Sequence, residues 1–160
     1  SAFRELEIRP GKDVFLDYGS GKGRALIVAA EQPFRRVIGI ESQEQLNSLA
    51  SANVQESAKR LKCSTIDILT VDAGAYPVPS DVTVIFMYNP FRGELLKTVL
   101  RRIRQSLEST PRQIQLLYLF PESDGDPLSE CEWLQLHGEI PTGVWDWVRF
   151  RRYESRACLF

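Results

Sequence analysis

Residues 17–25 read DYGSGKGRA, three alternating glycines and a lysine directly after the apolar run that ends at Leu16. Glycine accepts backbone conformations that a Cβ forbids, so such a turn can bring bare main chain close to a small ligand. Three acids sit at comparable points. Asp17 closes the first apolar run, Glu41 closes VIGIE, and Asp72 follows ILTV. Asn89-Pro90-Phe91 follows a fourth run, VIFMY. Two phosphate-binding patterns can be weighed against the glycine loop. A P-loop needs a glycine at position 16 and a hydroxyl at position 23, and the chain has Leu16 and Gly23 there. A dinucleotide loop is closer, since Gly19 and Gly21 fit its first two glycines. Its third falls on Arg24, which cannot give the close helix–strand approach that glycine allows.

Composition narrows the setting. The chain has 160 residues, is expected to form one domain over 1–160, and carries 43% hydrophobic and 26% charged residues. A formal net charge of −1 argues against strong general affinity for nucleic acid or an anionic membrane, both of which favour basic surfaces. Cys63, Cys131 and Cys158 are far apart, and His137 is the sole histidine. No disulfide frame, zinc site or multi-histidine metal site is expected. No apolar run approaches the roughly 18 residues of a membrane span, and the start does not read as a secretory signal. The expected location is cytoplasmic.

The elements that must position these residues follow from patterning. Apolar runs at 13–19, 36–41, 64–73, 81–90 and 112–120 read as buried strands. Stretches 23–32, 42–61 and 93–108 read as helices between them. In the second helix Ser42 and Gln45 are spaced as a capping box, and Leu46, Leu49, Ala50, Val54 and Leu61 form the expected stripe. In the third, Leu96, Val99, Leu100, Ile103 and Leu107 share a face. Segments 132–140, 144–155 and 156–160 favour strand with no helix between the last two. The fold class is therefore α/β: a doubly wound, mostly parallel sheet of seven strands with an antiparallel C-terminal edge pair. The three acids then lie at carboxyl ends of parallel strands, where open α/β sheets bind ligands.

The stretch FLDYGSGKG resembles the first motif of class I S-adenosylmethionine (SAM) dependent methyltransferases, which have a Rossmann-like fold. With VIGIE, YNPF and the strand-only ending, the resemblance runs from Val14 to Phe160. It is nearest to small bacterial methyltransferase-domain proteins, and the loop is also similar to that of Dot1-like lysine methyltransferases. The resemblance implies SAM as cofactor. It implies that Gly19, Ser20, Gly21 and Gly23 face the methionine end and that Asp17 faces the ammonium group. Glu41, with Ser42 beside it, would accept hydrogen bonds from the ribose hydroxyls. Asp72 would take the adenine amino group, helped by the N–H of Ala73. Asn89 matches the position that polarises an amine in amino-group methyltransferases and is the catalytic candidate, with Pro90 and Phe91 as substrate-binding candidates. This chain departs from that motif in having one proline and an aromatic residue one position early.

Methyl transfer to a neutral amine needs no strong base, and none is evident near Asn89, so a nitrogen acceptor is preferred. The acceptor class, protein, small molecule or RNA, stays open. The segment before the first strand is short, so the lid is expected to be short or absent. Two other functions stand beside the enzyme: a non-catalytic SAM-binding interaction module, and a nicotinamide-dependent oxidoreductase, which Arg24 and the lack of a substrate domain disfavour. Lys22, Arg24 and the arginine-rich stretch 101–104 read as solvated helix residues. His137 reads as structural, and Trp133, Trp145 and Trp147 as packing residues.

Overall fold

The computed structural model describes residues 3, 6–88, 91–119, 126–141 and 149–156. Strands β1 (Val14–Tyr18), β2 (Arg36–Glu41), β3 (Ile66–Thr70), β4 (Val84–Tyr88), β5 (Gln115–Leu119), β6 (Leu134–Pro141) and β7 (Arg149–Ser155) join one sheet. Helices α1 (Arg24–Ala30), α2 (Glu44–Ser57) and α3 (Gly93–Ser109) connect them, with a short 3₁₀ turn at Ala58–Arg60. The spatial order is β3-β2-β1-β4-β5-β7-β6. The first five strands pair in parallel, and β7 runs antiparallel to both β5 and β6. The antiparallel C-terminal pair is thus present, with β7 inside and β6 at the edge. Residues 157–160, part of the last strand-like segment, lie outside the described residues.

All of β1 and the first four residues of β4 are buried. Continuous β-branched, aromatic and aliphatic runs suit strands covered on both faces, which places this pair centrally. The chain winds outward from β1 to β3, then returns to place β4 on the other flank of β1. That reversal opens a crevice at the carboxyl ends of β1 and β4.

Alternation along the strands divides the core in two. On one face Leu16, Tyr18, Ile38, Ile40, Ile85 and Met87 meet the α3 stripe. All five expected α3 residues, Leu96, Val99, Leu100, Ile103 and Leu107, are buried. Each such side chain contributes roughly 1.5–3 kcal/mol through burial. No helix joins β3 to β4, and Tyr76, Val78 and Val82 of the connecting loop cover that face instead. Arg112 ties loop to helix by donating to the carbonyls of Pro79, Val82, Ser106 and Thr110 and to Ser106 Oγ.

The opposite face carries α1, whose Leu26, Ala29 and Ala30 pack beside Phe15, Val37, Phe86 and Phe150. A chain of rings crosses this core. Phe34 lies 5.4 Å from Phe15, Phe15 lies 5.4 Å from Phe3, Phe3 lies 5.5 Å from Phe86, and Phe86 lies 5.0 Å from Phe150.

Helix α2 corrects two expectations. Leu49 of the expected stripe is 47% exposed, while Asn47, Ala50 and Ser57 are the buried positions. Small residues are selected there because the glycine loop comes close: a Cβ added at Gly23 would lie 2.9 Å from Ala50 Cβ. The Ser42–Gln45 capping box also does not form. Gln43 is the N-cap, and Ser42 Oγ donates to Glu41 Oε1 instead. The Glu41 carboxylate draws that hydroxyl away and accepts the Gln43 N–H itself. Among the described residues, no helix is long and apolar enough to cross a membrane.

Candidate active site

The loop between β1 and α1 is built by glycines that L-residues would strain: Gly19, Gly21 and Gly23 have φ of 75°, 52° and 80°. Its amides are already engaged. Gly19 N–H and Ser20 N–H both donate to Ile40 O, at 2.9 and 3.0 Å. Gly23 N–H donates to Ser20 O at 2.8 Å, and Gly21 N–H donates to Glu41 Oε2 at 3.2 Å. A phosphate-binding loop aims such donors at its ligand. In this conformation the four amides hold the loop to the end of β2 and to itself, so the arrangement does not suit a pyrophosphate.

It suits a cation. Asp17 is 3% exposed and has no hydrogen-bond donor among the described residues. Burial, and then the charge of Glu41, push its carboxyl up to about 8. A buried carboxylate without a partner is costly until a positive group comes within reach. On alternation Asp17 shares the α1 face with Phe15, and Glu41 shares it with Val37. The two acids therefore stand on adjacent strands beneath the glycine loop.

Glu41 is half-buried, and besides Gly21 and Ser42 it accepts the Gln43 N–H at 3.1 Å. Asn47 braces it from below, donating to Glu41 O at 3.3 Å and to Thr70 Oγ1 at 2.9 Å. Asp72 lies exposed after β3. Its Oδ1 accepts Gly74 N–H at 2.7 Å and Ala75 N–H at 3.1 Å, which fixes the turn and leaves Oδ2 without a described partner. Ala73 packs against the α3 core beside it. Acids at the ends of β1 and β2 and just after β3 thus lie at the carboxyl ends of three neighbouring parallel strands, with Glu41 bonded directly to the glycine loop.

Other candidates fall differently. Ser20 bonds through its main chain, its N–H donating to Ile40 O and its carbonyl accepting Gly23 N–H. Its hydroxyl is buried, without a partner, and lies 2.9 Å from where a Cβ on Gly39 would stand. Phe91 is half-buried, with its ring perpendicular to that of Tyr18 at 6.0 Å. Asn89 and Pro90 lie outside the described residues, as do Trp145 and Trp147. Trp133 is buried in the α3-side core. His137 stands 3.3 Å from Glu154, which pairs in register with Gln115 at the start of β5. That is the end of the sheet opposite the glycine loop. Lys22 and Arg24 are exposed, and Arg104 pairs with Glu108 on the α3 surface.

The sequence reading passed over Tyr88. It ends β4 and is 60% exposed, while the four residues before it are buried. A tyrosine closing an otherwise apolar strand was the available signal.

Neither the scan against protein-family models nor the search of curated proteins gives a match. Solved structures do match. An RNA methyltransferase from Salinibacter ruber in complex with S-adenosyl-L-homocysteine superposes with a TM-score of 0.61 at 22% identity, over 96% of this chain and 88% of that one. Magnesium protoporphyrin IX methyltransferase from Synechocystis PCC 6803, with bound SAM, gives 0.65 at 16% identity over 92% and 71%. Precorrin-6y C5,15-methyltransferase from Geobacter metallireducens GS-15 gives 0.64 at 13% identity over 97% and 85%. This chain has the class I methyltransferase fold. The methyltransferase fold brings the glycine loop and the three strand-end acids to the carboxyl edge of the sheet, where its order reverses.

Proposed function

We propose that the protein is a SAM-dependent methyltransferase with a nitrogen acceptor. The observation that carries this reading is the pairing of a donor-depleted glycine loop with the buried carboxyl group of Asp17, which has no partner among the described residues. An amino-acid ammonium fits that carboxylate. Glu41 accepts three donors here and keeps acceptor capacity on Oε2 for one sugar hydroxyl; a second requires that the rotatable Ser42 hydroxyl turn away from Oε1. Asp72 Oδ2 is available to an adenine amino group. Bound SAM supplies a methyl group already activated by its sulfonium. The protein's task is then to hold an acceptor in line with that methyl, and positioning of this kind supplies roughly 7–11 kcal/mol. Asn89, assigned from sequence, would accept a hydrogen bond from the acceptor amine and orient its lone pair. His137, at the far end of the sheet, does not serve as a base for this site. A neutral amine needs none before attack.

Calorimetry with SAM, S-adenosylhomocysteine and NAD tests the cofactor assignment. Binding of the first two and not the third is expected. Glu41→Ala should weaken SAM binding about 10- to 100-fold, the worth of a charge-assisted hydrogen bond. Unchanged affinity would remove the ribose assignment. Transfer of labelled methyl into a cell extract separates an enzyme from a non-catalytic SAM-binding module.

A further inference from the structure

The exposed ring of Tyr88 is the outermost member of the aromatic chain through the α1-side core. Its centroid lies 6.0 Å from that of Phe150 at an interplanar angle of 63°. Phe150 in turn leans on Phe86, and Phe86 on Phe3. Phe3, Phe15, Phe34, Phe86 and Phe150 are all at most 6% exposed, against 60% for Tyr88. A buried ladder therefore orients one ring whose own face meets solvent.

The placement of that ring is specific. Tyr18 pairs with Met87 across β1 and β4, so Tyr88 is level with Gly19, where the glycine loop departs. Strands in a sheet lie about 4.8 Å apart. Asp17 pairs with Phe86, and Tyr88 follows Phe86 on the same face of β4. The ring thus stands one step further toward the sheet edge than the carboxylate that would hold the ammonium end of SAM. Phe91, the aromatic candidate read from sequence, turns toward Tyr18 and packs on the α3-side core.

Resting on the methyltransferase reading, we propose that Tyr88 is a substrate-binding residue that stacks on a planar acceptor, so that the methylated nitrogen belongs to, or is conjugated with, a flat unsaturated ring. A rigid ring offers a large contact area at small entropic cost, and flat groups gain most from it. Aliphatic amines gain little from such a surface. Truncating a stacking aromatic weakens the binding of a flat base roughly 10- to 100-fold.

The test uses the wild-type protein and the variants Tyr88→Phe, Tyr88→Leu and Tyr88→Ala. SAM affinity is measured by calorimetry, and transfer of tritiated methyl from SAM is followed over a dilution series of cell extract, with chromatography of the hydrolysed products. The expected result is equal SAM affinity in all four proteins. Half-saturation should rise at least 10-fold for Tyr88→Ala and Tyr88→Leu, stay within about threefold for Tyr88→Phe, and the label should sit on a heteroaromatic or ring-conjugated nitrogen. Wild-type transfer by Tyr88→Ala, full rescue by Tyr88→Leu, or label on an aliphatic amine overturns the stacking role while leaving the methyltransferase reading intact. Failure of the wild-type protein to bind SAM overturns that reading itself, and the stacking role falls with it.

Discussion

Replacing Asp17 by Asn should make the ligand-free protein more stable, by an amount that grows with pH. Asn keeps the size of the side chain and removes the charge. In the folded protein the Asp17 carboxyl is raised from 3.8 to about 8 by burial and by Glu41. A group raised on folding contributes most at low pH, below its unfolded value, and that contribution is lost as pH rises toward the folded value. Between pH 5 and 7 the unfolded chain has released this proton and the folded chain has kept it. Wild-type stability relative to Asp17→Asn should then fall by about 1.4 kcal/mol per pH unit, or about 3 kcal/mol over the interval. For a chain of this size that corresponds to roughly 6–12 °C in Tm. Denaturant titration of both proteins at pH 5, 6 and 7 measures the gap directly, because titrating groups that do not interact with Asp17 cancel in the difference. Saturating SAM should narrow the gap, since its ammonium gives the wild-type carboxylate a partner. A gap that stays constant with pH would refute the account of Asp17 as a buried group awaiting a cation.

Four further outcomes are expected. Gly23→Ala should destabilise by about 2–4 kcal/mol in denaturant titration, because it combines a left-handed backbone with overpacking against Ala50. Ile103→Ala should cost about 2–5 kcal/mol through a cavity under α3, with SAM affinity at pH 7 unchanged by calorimetry. Arg112→Ala should lower Tm and Arg112→Lys should not restore it, because an ammonium cannot reproduce a planar fork serving four carbonyls and a hydroxyl. Asn89→Ala should abolish methyl transfer while sparing SAM affinity; retained transfer would remove Asn89 from the mechanism.

What the sequence disclosed depended on whether a contact repeats along the chain. The α3 stripe was legible because all five residues obey helical spacing and meet one flat apolar face. The strand-end acids were legible because parallel strands deliver their carboxyl ends to one edge. Helix α2 was misread where packing is pairwise. Its buried face is set by Gly23 against Ala50 and by Asn47 reaching Thr70, neither of which has a period. The cap at Ser42 failed because a carboxylate one residue earlier competes for its hydroxyl, which local spacing does not reveal. The engaged amides of Gly19, Ser20 and Gly21 were likewise invisible, since their acceptors lie on β2, about twenty positions away. Tyr88 escaped notice because an apolar run hides which of its members reaches solvent.

Gly39, in the middle of β2, supplies what Arg24 cannot. A methyl group there would stand 2.6 Å from Leu26 Cδ1 and 2.9 Å from Ser20 Oγ, both already enclosed. The space that a dinucleotide loop hollows out at its own third glycine is here hollowed out from the opposite wall. A side chain at position 39 would therefore press on the first turn of α1 and on the Ser20 hydroxyl together. The seat of this loop on the sheet thus depends on a strand residue that lies outside the loop.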